Sequence, residues 1–216
     1  MAGGGREHLP RLLVTGFEPF PGAPVNPTQR LVELLRADPP MINGIAAFRA
    51  ETLPVDYAAI GPRLADLGRD FAPDIAIQFG LARNCAGFRL ERVAQNRFAA
   101  ARPDNASFCP ADGCICEGPP LLPSTLPLQA IHDALVAAGL PVEWSDDAGG
   151  YLCNMAMTLT LAGACPPFRP QMAGFIHVPP LDEAPHASAA FDEAALLQGA
   201  TIAMRQCADA WASRSA

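Results

Sequence analysis

Three side chains in this sequence have types and settings suited to acyl-transfer chemistry. Cys153 follows the Gly- and Asp-rich run DDAGGYL and leads into an apolar stretch of helical length. That places the thiol at or near a helix start, where unpaired N–H groups and the helix dipole stabilise a thiolate. The same N–H groups can receive the oxyanion formed when a thiolate attacks a carbonyl. A buried cysteine is also a common core filler, and position alone slightly favours that plainer reading. His177 closes the apolar run GFIHV just before Pro179 and Pro180. Sites in open α/β sheets form beyond the carboxyl ends of strands, so a histidine there faces the place where loops gather. The plainer reading is a core-edge histidine satisfied by backbone groups. His8 in a frayed terminus, His132 inside a helix and His186 in a late polar loop compete poorly. Glu91, in FRLERVAQN, is the third. A thiolate–imidazolium pair needs a group that fixes the ring's tautomer and tilt, and a carboxylate does that. Local sequence alone instead reads Glu91 as a surface charge on an edge strand, paired with Arg89 or Arg92.

The elements that must position these groups alternate between strand and helix. RLLVTG at 11–16 reads as a buried strand, followed by the rigid loop FEPFPGAPVNP. A helix runs over 28–35, with Asn26 or Thr28 as N-cap and Pro27 near its first turn. A strand over 45–55, a helix over 57–69 capped by Asp56, and a strand over 74–80 continue the alternation. This spacing predicts one α/β domain over 1–216 with a parallel sheet covered on both faces. Residues 1–9 are expected to form a flexible arm. Residues 84–98 suit a strand pair. Residues 99–126 have little periodicity, and a loop that long in a compact domain is usually functional. A helix over 127–139 closed by Gly139, a strand over 141–145, a helix over 151–164, a strand over 171–178 and a helix from about 188 to 212 complete the chain.

Composition narrows the class. Half of the 216 residues are hydrophobic, enough for one sizeable core and too many for a disordered chain. The net charge is −7 and every Lys or Arg position is Arg, without a basic cluster. That argues against nucleic acid and anionic membrane as main partners. No secretory pattern opens the chain and no apolar run reaches the roughly 20 residues of a membrane span. Seven cysteines, an odd number in a chain of this size, point to reduced thiols in a cytosol. Cys109, Cys114 and Cys116, with Cys85 upstream, lack the paired spacing of a structural zinc site, and no metal is expected.

Three separated blocks together resemble the pyroglutamyl peptidase I family, also called pyrrolidone-carboxylate peptidases. VTGFEPFPGAPVNPT at 14–28 is similar to the family's first strand and following loop. LERVAQN at 90–96 is similar to the segment that holds its catalytic glutamate. AGGYLCNMAM at 148–157 and GFIHVPPL at 174–181 are similar to the segments carrying its cysteine and histidine. The resemblance runs from about residue 11 to 185. It implies an α/β/α sandwich with a mixed, mostly parallel sheet. It also implies a cytoplasmic cysteine peptidase that needs no cofactor and removes N-terminal pyroglutamate from peptides, with Cys153 as nucleophile, His177 as base and Glu91 as orienting acid. By position, Phe17, Phe20, Tyr151 and Leu152 would wall the ring pocket, and the backbone of Leu81 would meet the lactam. Family members occur as monomers and as tetramers, so a homo-oligomer fits as well as a monomer does. The run GLARNC at 80–85 departs from a G-Q-A-G-G-R pattern, placing Arg83–Asn84 and Cys85 where Gly-Gly and Arg stand in many bacterial members. AARPDN at 100–105 makes Arg102 a displaced counterpart of a family arginine. A catalytically silent binder of modified N-termini and a cysteine amidase for small lactams are the alternatives from other classes.

Overall fold

The computed structural model describes residues 8–99, 101–181 and 191–214. The alternation read from the first half of the sequence is present as β1 (Arg11–Phe17), α1 (Pro27–Ala37), β2 (Ala47–Leu53), α2 (Tyr57–Asp70) and β3 (Ile75–Leu81). Both early helices start on a side-chain cap. Asn26, not Thr28, caps α1 by accepting the Thr28 N–H, and Asp56 accepts the N–H groups of Ala58 and Ala59. Such caps satisfy donors that the first helical turn leaves unpaired.

The chain continues as β4 (Phe88–Glu91), β5 (Val93–Gln95), β6 (Leu121–Pro123), α3 (Leu128–Ala137), β7 (Val142–Ser145), α4 (Leu152–Leu161), β8 (Met172–Val178) and α5 (Glu193–Arg214). Six strands form one sheet in the order β2-β1-β3-β8-β4-β7. β4 pairs antiparallel with β8 and parallel with β7, so β4 and β7 run against the other four. The sheet is mixed and mostly parallel, not parallel throughout. The expected strand pair over 84–98 does not pair with itself. β4 enters the main sheet, while β5 pairs with β6, a short strand inside the long loop. Three residues in a run of prolines give no periodic signal, which is why β6 was not expected.

Two apolar clusters flank the sheet. One contains Leu31, Val32 and Leu35 of α1, Ile131 and Leu135 of α3, and the buried face of α5. The other contains Ile60, Leu64 and Leu67 of α2 and Leu152 through Leu159 of α4. The architecture is therefore an α/β/α sandwich. Phe175 belongs to the second cluster and Ile176 to the first, the period-2 alternation of a strand buried on both faces. Most of the arm expected over 1–9 lies outside the described residues, as do His186 and the first residues of the expected final helix. His8 is held in place: its ring bonds Asp74 at 3.1 Å and its carbonyl accepts the Trp211 indole N–H at 3.1 Å. Among the described residues no helix is long and apolar enough to cross a membrane.

The loop after β1 is fixed by close approach. Thr28 Oγ1 accepts the Phe17 N–H at 2.9 Å, and a Cβ on Gly16 would stand 2.2 Å from the Thr28 carbonyl oxygen. Backbone cannot yield as a flexible side chain can. Gly16→Ala is therefore expected to destabilise the fold by about 3 kcal/mol, at the upper end of overpacking costs. Denaturant unfolding with an unchanged m-value checks this.

Candidate active site

Strand register brings Glu91 and His177 together. Arg89 lies opposite His177 and Glu91 opposite Phe175, so Glu91 and His177 are diagonal neighbours on one face. The His177 Nδ1–H donates to Glu91 Oε1 at 2.7 Å. This leaves Nε2 for a partner on the other side of the ring. Glu91 has no solvent exposure, and its Oε2 is buried without a protein hydrogen-bond partner. Because β4 runs against β8, its carboxyl end points away from the site mouth. Glu91 therefore lies beneath the histidine, where the carboxyl-end rule would not look for a site residue.

The Cys153 thiol lies close enough to the ring to hydrogen-bond with it and to influence its charge. Burial pushes the His177 imidazolium toward the neutral form, but Cys153 and then Glu91 outweigh it and raise the ring to about 9. The Phe175 ring packs 4.8 Å from the His177 ring. Gly80, directly opposite His177 in the parallel register, leaves the space the thiol occupies: a Cβ there would meet Cys153 Sγ at 2.9 Å and Phe175 at 2.6 Å.

Cys153 is the second residue of α4, whose N-cap, Tyr151, makes no side-chain capping bond. The first-turn N–H groups are thus uncapped beside the thiol. The helix start is instead gripped by the next residue. Asn154, 1% exposed, accepts the Gln95 N–H at 2.9 Å and donates to the Gln95 carbonyl at 2.7 Å. Asn154 completes the amide pairing that β5 lacks on that side. Gln95 lies four residues beyond Glu91, so one short stretch of chain ties the carboxylate to the thiol.

A cavity of about 410 Å³ opens over these groups. Its wall includes all five residues expected to contact substrate: Phe17, Phe20, Leu81, Tyr151 and Leu152, with Cys153 and His177 at the floor. Phe17 is 3% exposed and belongs to the core as well as to the wall, whereas Phe20 is half-buried, 5.8 Å from the Tyr151 ring. The long loop buttresses that wall. The hydroxyls of Tyr57 and Tyr151 donate to the carbonyls of Arg102 and Pro103 at 3.1 and 3.0 Å, and Asn105 Nδ2 donates to the Pro19 carbonyl at 3.0 Å. Asp104 accepts the N–H groups of Tyr57, Ala106 and Phe108, each at 2.9 Å. Sequence reasoning missed Gly80, Val55, Asn154 and Phe175. Phe175 was available as the residue two before His177 on a strand; Asn154 had no signal beyond its place after the cysteine. Cys85 is buried, its thiol directed at the Ala82 carbonyl at 3.1 Å. Among the described residues no three His, Cys, Asp or Glu side chains converge to hold a metal ion.

The ring's charge state is directly measurable. The His177 resonance is expected to titrate near 9, and its midpoint should fall in both Cys153→Ala and Glu91→Gln, because each removes a group that favours the imidazolium while burial remains. NMR titration of the ring checks both shifts; a midpoint that stays near 9 in both variants contradicts the assignment of cause.

Comparison with known proteins points to one family. The family model for pyroglutamyl peptidases matches residues 10–205. Pyrrolidone-carboxylate peptidase of Pyrococcus furiosus is 39% identical over 174 residues, 80% of this chain and 82% of that protein. The enzyme of Cupriavidus pinatubonensis is 40% identical over 174 residues, 80% of this chain and 79% of its own. A mutant pyrrolidone carboxyl peptidase from P. furiosus superimposes with a TM-score of 0.84 at 33% identity, covering 93% of this chain and 99% of that one. With the family model matching residues 10–205 and relatives 39% and 40% identical over about four fifths of either chain, this chain belongs to the pyroglutamyl peptidase family.

Proposed function

We propose that this protein is a cysteine exopeptidase that hydrolyses the bond after an N-terminal pyroglutamyl residue, with Cys153, His177 and Glu91 as its catalytic set. The observation that carries the reading is the buried His177 ring, joined to Glu91 through Nδ1 and interacting with Cys153, in the lining of an aromatic-walled cavity. The thiolate attacks the carbonyl carbon of the pyroglutamyl residue, and the uncapped first turn of α4 receives the oxyanion. His177, held protonated, gives its Nε2 proton to the departing amine, and a thioester remains. Water then attacks the thioester, His177 takes its proton, the Cys153 sulfur departs, and free pyroglutamate leaves. Glu91 holds Nδ1–H throughout, fixing which nitrogen faces the sulfur. Phe17, Tyr151 and Leu152 suit a small neutral ring, and the edge of β3 at Leu81 supplies backbone groups for its lactam. All seven cysteines are unpaired, which suits the reducing cytosol expected from the sequence.

The direct test is release of pyroglutamate from a blocked peptide with and without a thiol alkylator. Cys153→Ala should lower kcat/KM at least about a thousandfold with the fold intact, and Glu91→Gln about a hundredfold, since the base remains. Acylation should fall as pH rises through about 9, where the imidazolium loses the proton the leaving amine needs. Wild-type activity in Cys153→Ala would sink the reading.

Phe20 separates pocket from core. Being half-buried, it contributes less to stability than Phe17. Phe20→Ala should raise KM for pyroglutamyl arylamides about tenfold, the scale of lost ring-sized apolar contact. It should also erode discrimination against prolyl arylamides, whose charged amine an apolar wall disfavours. Unchanged kinetics with a large fall in Tm would place the residue in the core.

A further inference from the structure

The pyroglutamyl ring is uncharged, so aromatic walls and a few polar partners are enough to recognise it. They do not account for the charge around the cavity. In a chain of net charge −7, the cavity wall holds three arginines, Arg83, Arg89 and Arg102, against one carboxylate, Asp147. These groups are not equivalent. Arg89 is neutralised within the fold: it pairs with Glu143 and donates to the side-chain and backbone oxygens of Asn84, both at 3.1 Å. Asp147 is engaged locally, its Oδ1 accepting the Gly149 N–H at 2.9 Å. Arg102 is held over the Tyr151 ring, 4.9 Å from its centroid. Among the described residues neither Arg83 nor Arg102 has a carboxylate within salt-bridge reach.

Position decides which part of a substrate meets them. Phe17, Tyr151 and Leu152 are buried and enclose the deep end of the cavity, whereas Arg83, Asn84, Arg102 and Asp147 are exposed and mark its mouth. With the ring at the deep end, the rest of the peptide leaves past that mouth. The backbone that carries Arg83 is well anchored there. It sits on a turn running straight on from β3, in which the Ala82 N–H donates to the Val178 carbonyl at 2.9 Å. The Cys85 thiol closes the turn on the Ala82 carbonyl at 3.1 Å, and Asn84 is tied to Arg89 by the two bonds above. The turn needs no rearrangement of its backbone to present the cation, and the planar guanidinium fork matches a carboxylate.

On the reading that the enzyme removes pyroglutamate, we infer that Arg83, assisted by Arg102, selects substrates with a carboxylate in the leaving portion. That carboxylate is either an acidic side chain next to pyroglutamate or the free C-terminus of a short peptide.

The experiment compares kcat/KM for four substrates at low ionic strength: pyroglutamyl-glutamate amide, pyroglutamyl-glutamine amide, pyroglutamyl-lysine amide and pyroglutamyl-glutamine free acid. At least one carboxylate-bearing substrate should exceed the glutamine amide about fivefold, the scale of one exposed ion pair, and the lysine amide should be slowest. Which of the two gains tells side chain from C-terminus. The preference should fade toward 1 M salt, where the Debye length is about 3 Å. Arg83→Gln should bring the ratio toward one and Arg83→Glu should turn it in favour of the lysine amide; Arg83 is exposed, so both variants should fold. Equal rates for all four in the wild type, or a preference untouched by Arg83→Glu, overturn the inference and leave the peptidase reading standing. Failure to release pyroglutamate from any of the four overturns both.

Discussion

A carboxylate with no exposure to water faces one polar partner, the ring of His177, across two antiparallel strands. Removing a lone carboxylate from solvent costs several kcal/mol, and a carboxylate in that position persists only if a charge or strong donor answers it. Much of the site can be understood as what keeps that answer in place. Phe88 and Leu90 anchor β4 in the apolar cluster on the other side of the sheet, so Glu91 cannot turn outward without losing them. Phe175 packs against the ring, and the bare Cα of Gly80 leaves room for the sulfur. Burial taken alone would make His177 a neutral core residue. The two neighbours win, and the ring carries its charge at neutral pH.

The long loop between β5 and α3 shows how a segment without periodicity becomes rigid. Its order comes from side chains that replace a missing ladder. Asn96 bridges to the carbonyls of Cys116 and Pro119 at 2.9 and 3.2 Å and accepts the Cys116 N–H at 3.1 Å. Asp104 gathers three N–H groups in the same way. Each bond satisfies a backbone group that would otherwise need water, and the ordered loop offers its Pro103 carbonyl to the Tyr151 hydroxyl at the cavity wall.

Much of this was legible in the residues. Apolar runs and caps marked the strands and helices because burial and orphan N–H groups leave local traces: Asp56 before α2 and the Gly-Asp turn before Cys153 are examples. The meeting of Cys153, His177 and Glu91 left no such trace. Glu91 read alone is a surface charge, and only the run around it, matched to a family, gave it a place. The direction of β4 was hidden for a related reason. A four-residue strand buried on both faces has no amphipathic period, and its neighbours are chosen by pairing with β8 and β7 far along the chain. Asn154 and Gly80 act through a contact made or a volume left empty, neither of which local sequence records.

The Asn154–Gln95 clasp has a consequence for motion. Distances between groups on separate elements fluctuate with the sum of both elements' displacements. Here the helix that carries the sulfur grips Gln95, four residues beyond the carboxylate, through two hydrogen bonds of Asn154 and one from Thr158, so the two drift as one body. A transient opening that parted them would have to break these bonds and expose a fully desolvated amide, an uphill event compared with fraying of the surrounding loop. The Gln95 amide should therefore exchange its hydrogen far more slowly than its exposed neighbours. The spacing of Cys153, His177 and Glu91 would then vary less than that of exposed groups around the cavity.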